Sequence, residues 1–335
     1  MKIPEKRVFY IIIDQLPGHW EESVKIEGTQ LPPVNVKGYH EVGLIPNFSY
    51  LIKSGLWVKR AWNRGGCDTA HGLRYLSTGS YEEPLYDDSY WKSGIEERKN
   101  FKESFFEYVK EYYGKEFKCA TFSHGGWSRR GYLYTSGLTV SLYKPSDEQK
   151  WRDYVYPYIV DNPDFNLITL YLSDFDAISY CPSYQKPIPN KYSSKHAGIL
   201  ALDRLLGEIV NTLKSSKYWD RTYIVVASDH GYHLGCSVAK GMGIKTNNWC
   251  CDHPPPWDCE VWNFEEDKPT GIYSGGPRRI TFIVSGGGLE EEYRGKVIEE
   301  AEIIDVIPTI ADILDVPYEC EGKSIFKYKM YQNAP

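Results

Sequence analysis

The stretch Thr222-Tyr-Ile-Val-Val-Ala-Ser-Asp-His-Gly-Tyr-His233 constrains the fold of this chain more than any other. Tyr223 to Ala227 is a short, unbroken apolar run rich in β-branched residues. Without polar alternation, such a run reads as a strand covered on both faces, as in a parallel sheet flanked by helices. Polarity then switches abruptly to Asp229, His230 and Gly231, where the strand has to end. Ligands of open α/β sheets bind just beyond the carboxyl ends of the strands. A carboxylate beside an imidazole offers an oxygen and a nitrogen to a divalent cation at such a place. Gly231 is expected to let the backbone turn sharply away, leaving both side chains aimed at one point. The competing reading is a plain polar strand end whose Asp and His are satisfied locally.

The same arrangement recurs along the chain. Val8 to Ile13 is a second continuous apolar strand, and Asp14 ends it. Asp14 is either a ligand or the start of an Asx-turn or helix cap. Residues 15–43 hold Pro17, Pro32 and Pro33 with four Gly and read as a long surface loop. Pro46 to Gly55 reads as a helix, with Pro in its first turn and Gly past its end, and Leu56 to Trp62 as a strand. In Asn63-Arg-Gly-Gly-Cys-Asp-Thr-Ala-His-Gly, Asp68 or Thr69 caps a helix that ends at Gly79. Thr69 is therefore either a simple cap or a hydroxyl placed where free backbone N–H groups and the helix dipole stabilise an anion.

Further on, helices are expected over residues 101–113 and 147–160, and strands over Phe117 to Phe122 and Leu167 to Leu172. Asp174 and Asp176 leave the second of these strands. Residues 191–214 form the longest helix, with Ile199, Leu202, Leu206, Ile209 and Leu213 in one apolar stripe for packing on a sheet. Arg279 to Ser285 is the last strong strand, and residues 303–314 form a C-terminal helix. Strand and helix alternate throughout, which predicts an α/β fold: a doubly wound, mostly parallel central sheet with helices on both faces. A single domain over residues 1–335 is expected, with an irregular insertion rich in Cys, Trp and Pro at about 235–270. The three Cys of Trp249-Cys-Cys-Asp-His-Pro-Pro-Pro-Trp-Asp-Cys259 pair in a disulfide or, less in keeping with their adjacency, bind zinc.

Bulk properties narrow the partners. The net charge is −6 with no long basic run, so a duplex nucleic acid is not expected. No apolar run reaches the roughly 18 residues of a membrane span. No signal peptide is legible at Met1 to Ile13, so a cytoplasmic location is expected. Eight Cys fit free thiols or a thermophile's disulfides. Nothing in the sequence specifies an oligomer.

Asp14, Thr69, Asp176, and Asp229 with His230 thus stand at or just after four strand ends. In a parallel sheet those ends share one edge, so the groups can converge. Hard oxygen ligands with one imidazole suit zinc first, with manganese, magnesium or calcium as alternatives. A hydroxyl beside such an ion becomes a nucleophile near neutral pH. The chemistry indicated is hydrolysis of a small-molecule phosphoester through a phosphothreonine intermediate.

The chain resembles the alkaline phosphatase superfamily nearly end to end, in particular its phosphodiesterase/nucleotide pyrophosphatase and sulfatase branches. The resemblance lies in the strand ending at Asp14, Ile45-Pro-Asn-Phe with Leu51 and Gly55, Thr69 ten residues before the Gly of Leu76-Ser-Thr-Gly79, Leu202-Asp-Arg-Leu-Leu-Gly207, Ala227-Ser-Asp-His-Gly231, and Asp305-Val-Ile-Pro-Thr309 followed by Glu321-Gly-Lys-Ser324. It implies that Asp14, Thr69, Asp229 and His230 surround one metal, with Thr69 the nucleophile. Phosphodiesterases of the family build a second metal site from Asp-x-x-x-His and a later His. Asp176 matches the Asp, but Tyr180 stands at the His position; His233 and His253 are the candidates for the later one. The sulfatase branch fills that space with Lys and His, which points to His124 and to Lys268 in Lys268-Pro-Thr-Gly-Ile-Tyr-Ser-Gly-Gly276 as substrate-binding groups. Sulfatase activity itself needs an oxidised Cys or Ser followed by Pro and Arg, which Thr69 does not supply. The resemblance also admits a phosphoryl transferase, and Tyr180 admits a relative that has lost catalysis and binds an anion.

Overall fold

The computed structural model describes residues 2–20, 31–81, 104–127, 132–143, 145–177, 194–233, 237–241, 253, 255–258, 260–263, 265–273 and 276–332. In chain order the elements are β1 (Arg7–Ile13), α1 (Val36–Glu41), α2 (Pro46–Ser54), β2 (Leu56–Trp62), α3 (Thr69–Thr78), α4 (Phe105–Tyr113), β3 (Cys119–His124) and β4 (Leu138–Leu142). There follow α5 (Asp147–Lys150), continued through a π-helical turn (Trp151–Val155) into α6 (Tyr156–Asp161), then β5 (Leu167–Leu172), α7 (Asp174–Ala177), α8 (Ser194–Lys214) and β6 (Thr222–Ser228). The last elements are α9 (Ser237–Gly241), β7 (Glu260–Asn263), β8 (Lys268–Tyr273), β9 (Arg279–Ile280), β10 (Phe282–Ser285), β11 (Lys296–Glu302), α10 (Val306–Ile313) and β12 (Tyr331–Gln332).

The fold is α/β, as expected from the alternation. The main sheet runs β12-β11-β2-β10-β6-β1-β5-β3-β4, with β9 pairing β2. β1 is central and parallel to both β5 and β6. β10 lies antiparallel between β6 and β2. Two reversals restore the direction, so β2 still ends on the same edge as β1, β5 and β6.

Both faces of the sheet are covered, which explains the unbroken apolar runs. Along β1, Phe9, Ile11 and Ile13 enter one core with Phe48 and Leu51 of α2 and the α8 stripe Ile199, Leu202, Leu206, Ile209 and Leu213. Val8, Tyr10 and Ile12 enter the other, with Leu73 and Leu76 of α3 and Ile307 and Ile310 of α10. Each such side chain contributes roughly 1.5–3 kcal/mol by leaving water.

Several stretches depart from the sequence reading. Residues 15–43 are not all loop: α1 forms there because Asn35 caps it, its side chain accepting from the Gly38 N–H at 2.8 Å. β11 was hidden by its charges; Glu299 and Glu300 point outward to ion-pair with Lys59, Arg60 and Arg64. The region 235–270 is not wholly irregular, since it holds α9 and β7, with β7 paired to β8 as a hairpin. Cys250, Cys251 and Cys259, on which the disulfide and zinc readings rest, lie outside the described residues.

Candidate active site

Register brings the first ligands together. Ile13 is level with Ser228 on β6 and Leu172 on β5, so the next residues, Asp14 and Asp229, leave adjacent strands side by side. His230 follows, and its Nε2 lies 3.3 Å from Asp14 Oδ1 and 3.7 Å from Asp229 Oδ2. All three side chains are buried, and their donor atoms lie within 4.8 Å of one another. A tetrahedral ion with bonds of about 2.1 Å holds its ligands about 3.4 Å apart, so the spacing fits.

The outer contacts leave the facing atoms available. Asp229 Oδ1 accepts the backbone N–H groups of Gln15 at 3.0 Å and His230 at 2.8 Å. Asp14 Oδ2 accepts from the fully buried Tyr171 hydroxyl. His230 Nδ1 faces the Gly231 carbonyl at 2.9 Å; a carbonyl only accepts, so Nδ1 carries the proton and Nε2 points inward. Asp14 Oδ1 and Asp229 Oδ2 are buried and accept no hydrogen bond. Two carboxylate oxygens and an imidazole nitrogen then share a dry space, which is stable only with a cation among them. The residues fit a divalent metal. Before metal binds, protons serve instead. Burial, then the charge of Asp229, pushes Asp14 up to about 7. Burial alone favours neutral His230, but Asp229, Asp14 and Asp176 outweigh it and raise its pKa to about 10. Asp229 is raised as well, chiefly by burial.

Two backbone features hold this geometry. Gln15 is buried with φ of 62°, a left-handed conformation costing on the order of 1 kcal/mol; it aims its N–H at Asp229. Gly231 is needed for space rather than for an unusual φ. A Cβ there would lie 2.5 Å from the Gly276 carbonyl oxygen and 2.8 Å from that of Arg279.

Thr69 reaches the same point from β2. Asp68, not Thr69, caps α3, accepting from the His71 N–H at 3.0 Å while its other oxygen meets His71 Nδ1 at 2.7 Å. The Thr69 hydroxyl is thereby left for the centre, 3.3 Å from His230 Nε2 and partly accessible. Gly72 lets α3 press against β6: a Cβ there would lie 2.5 Å from the Asp229 carbonyl oxygen. Buried Asn63 ties the intervening loop down, donating to the carbonyls of Gly66 at 2.9 Å and Asp229 at 3.0 Å.

The remaining candidates divide. Asp176 lies beside the centre, its Oδ1 accepting from Gln15 Nε2 at 2.5 Å and standing 3.8 Å from His253 Nε2. Of the two candidates for the later His, His253 stands at the site: its ring centroid is 4.1 Å from that of His230. Burial, followed by the charge on His230, pushes the pKa of His253 down to about 2, so its ring is neutral. Tyr180 lies outside the described residues. His124 is half-buried, stacked on Tyr143 at 6.3 Å, with burial and then Lys150 lowering its pKa. Lys268 is exposed on β8, with Nζ 2.5 Å from Glu266. No described contact joins His124 or Lys268 to the triad. Tyr171, Gln15 and Asn63 were missed because each matters only through a contact more than 150 residues away. The abrupt Asp-Gln after an apolar strand was the one local sign for Gln15.

The fold places the chain in the alkaline phosphatase superfamily with sulfatase-like features, and Asp14, Asp229 and His230 at its sheet edge could hold a metal ion. The chain belongs to the Sulfatase family, whose model matches residues 8–316. The extracellular sulfatase SULF-1 homolog of Drosophila melanogaster is 27% identical over 137 residues, which are 40% of this chain and 10% of that protein. The chain thus aligns with a tenth of that relative's length. Among solved structures, murine ectonucleotide pyrophosphatase/phosphodiesterase 5, an inactive variant in complex with AMP, superposes with TM-score 0.59 at 12% identity, over 96% of this chain and 98% of that one. The phosphonate monoester hydrolase of Agrobacterium radiobacter gives 0.56 at 14%, over 96% and 76%. Lipoteichoic acid synthase LtaP of Listeria monocytogenes gives 0.58 at 15%, over 97% and 75%. At these identities the likeness is one of fold. Among the described residues, no helix is long and apolar enough to cross a membrane.

Proposed function

We propose that this chain is a metal-dependent phosphoric ester hydrolase acting on diesters or nucleotide-like substrates, with Thr69 as nucleophile, and that residues 1–335 form one domain with 235–270 as an insertion. The observation that carries the proposal is the Thr69 hydroxyl 3.3 Å from His230 Nε2, at the point where Asp14 and Asp229 each present a buried oxygen that accepts no hydrogen bond. Asp14, Asp229 and His230 hold the cation, zinc before manganese, magnesium or calcium. When bound, the cation lowers the pKa of the threonine hydroxyl and offsets negative charge on the phosphoryl group. Thr69 Oγ1 gives up its proton to solvent and bonds to phosphorus from the first turn of α3, whose backbone N–H groups and dipole favour the developing charge. The bond from phosphorus to the ester oxygen breaks, that oxygen takes a proton from solvent, and water then cleaves the phosphothreonine to restore the hydroxyl. The murine relative bound to AMP and the phosphonate monoester hydrolase support an anionic ester as substrate. Thr69 speaks against sulfate ester cleavage by an oxidised Cys or Ser. Cys67 is buried against the carbonyls of Asn63 and Gly65, with its thiol pushed well up by burial.

The test is Thr69→Ala assayed on an aryl phosphodiester. Turnover is expected to fall by about 10³-fold or more, with metal binding retained because all three buried ligands remain. Retained turnover would remove the covalent route.

A further inference from the structure

His19 follows Asp14 closely in the chain but takes no part in the centre. It is 2% exposed, and neither ring nitrogen has a hydrogen-bond partner among the described residues. Trp62 meets it ring against ring, at 4.7 Å and 86°, rather than through a hydrogen bond. A neutral imidazole has one N–H to give and one lone pair to fill. Burying both unmet costs stability that a phenyl ring in the same place would not. What the imidazole adds is a site for a proton. Among the described residues the charged groups that act on it are all cations: Arg279 on β9, Arg60 on β2 and Lys37 on α1. Arg60 is paired with Glu300 at 3.6 Å and Lys37 with Glu41 at 2.9 Å, and Arg64 adds a further positive charge 5.7 Å over the Trp62 ring. Burial first, then Arg279, Arg60 and Lys37, holds the His19 pKa well below the ordinary imidazole range, so the ring is neutral.

The segment that His19 belongs to carries Asp14 and Gln15 into the centre, and it is tied down carbonyl by carbonyl. Leu16 accepts from the hydroxyls of Ser228 at 2.6 Å and Thr281 at 3.3 Å. Pro17 and Gly18 accept the first N–H groups of α1, from Val36 at 3.0 Å and Lys37 at 2.8 Å. Gly18 presses on β9, where a Cβ would lie 2.1 Å from the Ile280 carbonyl oxygen. We propose that His19 is an acid-operated latch: neutral, it keeps residues 16–20 packed between α1 and β9; protonated, it leaves its dry place, and the opened segment lets go of the metal at Asp14. Release of the metal rests on the reading of Asp14, Asp229 and His230 as a metal site; opening of the segment does not. In the open state the imidazole is in water and has its ordinary pKa of about 6.5. The segment is therefore fully locked above that value, and each pH unit below it favours opening about tenfold. His19 touches no reacting atom; it is a positioning residue.

The experiment follows amide exchange of residues 16–20 in the full, metal-free chain, corrected for the intrinsic rate at each pH, in wild type and in His19→Phe. Asp14 and His230 titrate in both proteins alike, so the ratio of the two opening constants isolates His19. That ratio, wild type over variant, is expected to rise about 25-fold from pH 7 to pH 5. Loaded with zinc, the wild type should lose the ion to a chromogenic chelator faster than His19→Phe at pH 5 and at the same rate at pH 7.5. If His19→Phe does not fold, His19→Asn removes the proton site with a smaller side chain and should behave in the same way. An opening ratio that stays constant from pH 7 to pH 5 would overturn the latch. A rising ratio with zinc leaving both proteins at one rate at pH 5 would overturn its hold on the metal. A chain that binds no zinc would overturn the metal reading, and the exchange ratio would still decide the latch.

Discussion

Replacing Gly72 by alanine sets helix propensity against the geometry of the site. In an exposed helix, Gly→Ala stabilises by about 1 kcal/mol. In α3 the added Cβ would lie 2.5 Å from the Asp229 carbonyl oxygen and 2.6 Å from the Asp229 Cβ, where ordinary contact begins at 3.4 Å. The shortfall is roughly 0.9 Å, and neither atom can be cleared by a side-chain rotation. Either α3 retreats, taking Thr69 with it, or the end of β6 moves, taking Asp229 and His230. Overpacking of this kind costs about 1–3 kcal/mol, which cancels or exceeds the gain in propensity. A displacement of about 1 Å between nucleophile and centre lowers turnover about 100-fold. The assay is kcat/KM on an aryl phosphodiester with the thermal midpoint recorded beside it. A Gly72→Ala protein with a raised midpoint and full activity would refute the reasoning. It would show that α3 and β6 are not locked together and that Thr69 has no fixed place against the triad.

Two further outcomes follow from the groups around the triad. Tyr171→Phe removes the hydroxyl that donates to Asp14 Oδ2; metal affinity should fall about 10- to 100-fold, read by calorimetry, and unchanged affinity would show that Asp14 needs no orienting partner. The pH dependence has a definite sign. In the metal-free protein Asp14 is raised to about 7 and His230 to about 10, each above its ordinary value. Stability from these protons is full below the ordinary values and is lost as pH rises through 7 for Asp14 and through 10 for His230. Metal must displace the same protons, so the thermal shift on adding zinc should grow between about pH 6 and about pH 9. A shift that stays flat or shrinks over that range in a fluorescence melt would contradict the assignment.

The apolar runs at Val8 to Ile13, Leu167 to Leu172 and Tyr223 to Ala227 carried their burial in their composition, because a strand covered on both faces leaves few positions for a polar side chain. The abrupt polar residues after them, and the Asp68 and Gly79 boundaries of α3, were legible for the same local reason: chain ends of buried elements need hydrogen-bonding side chains or a left-handed Gly. β11 was not legible, since its outward Glu residues are acceptable only because Lys59, Arg60 and Arg64 of β2 lie beside them. The direction of β10 was equally hidden, as a short apolar run reads the same in either orientation. At the site, residue types announced the chemistry, but the partners were a matter of three dimensions. Tyr171 on Asp14, Gln15 on Asp229, Asn63 on the Asp229 carbonyl and His253 beside His230 all depend on which distant segments the fold makes adjacent. Local sequence fixes what each strand end can offer. Only the packing of distant segments fixes which offers meet, because those contacts are made between residues that no periodicity connects.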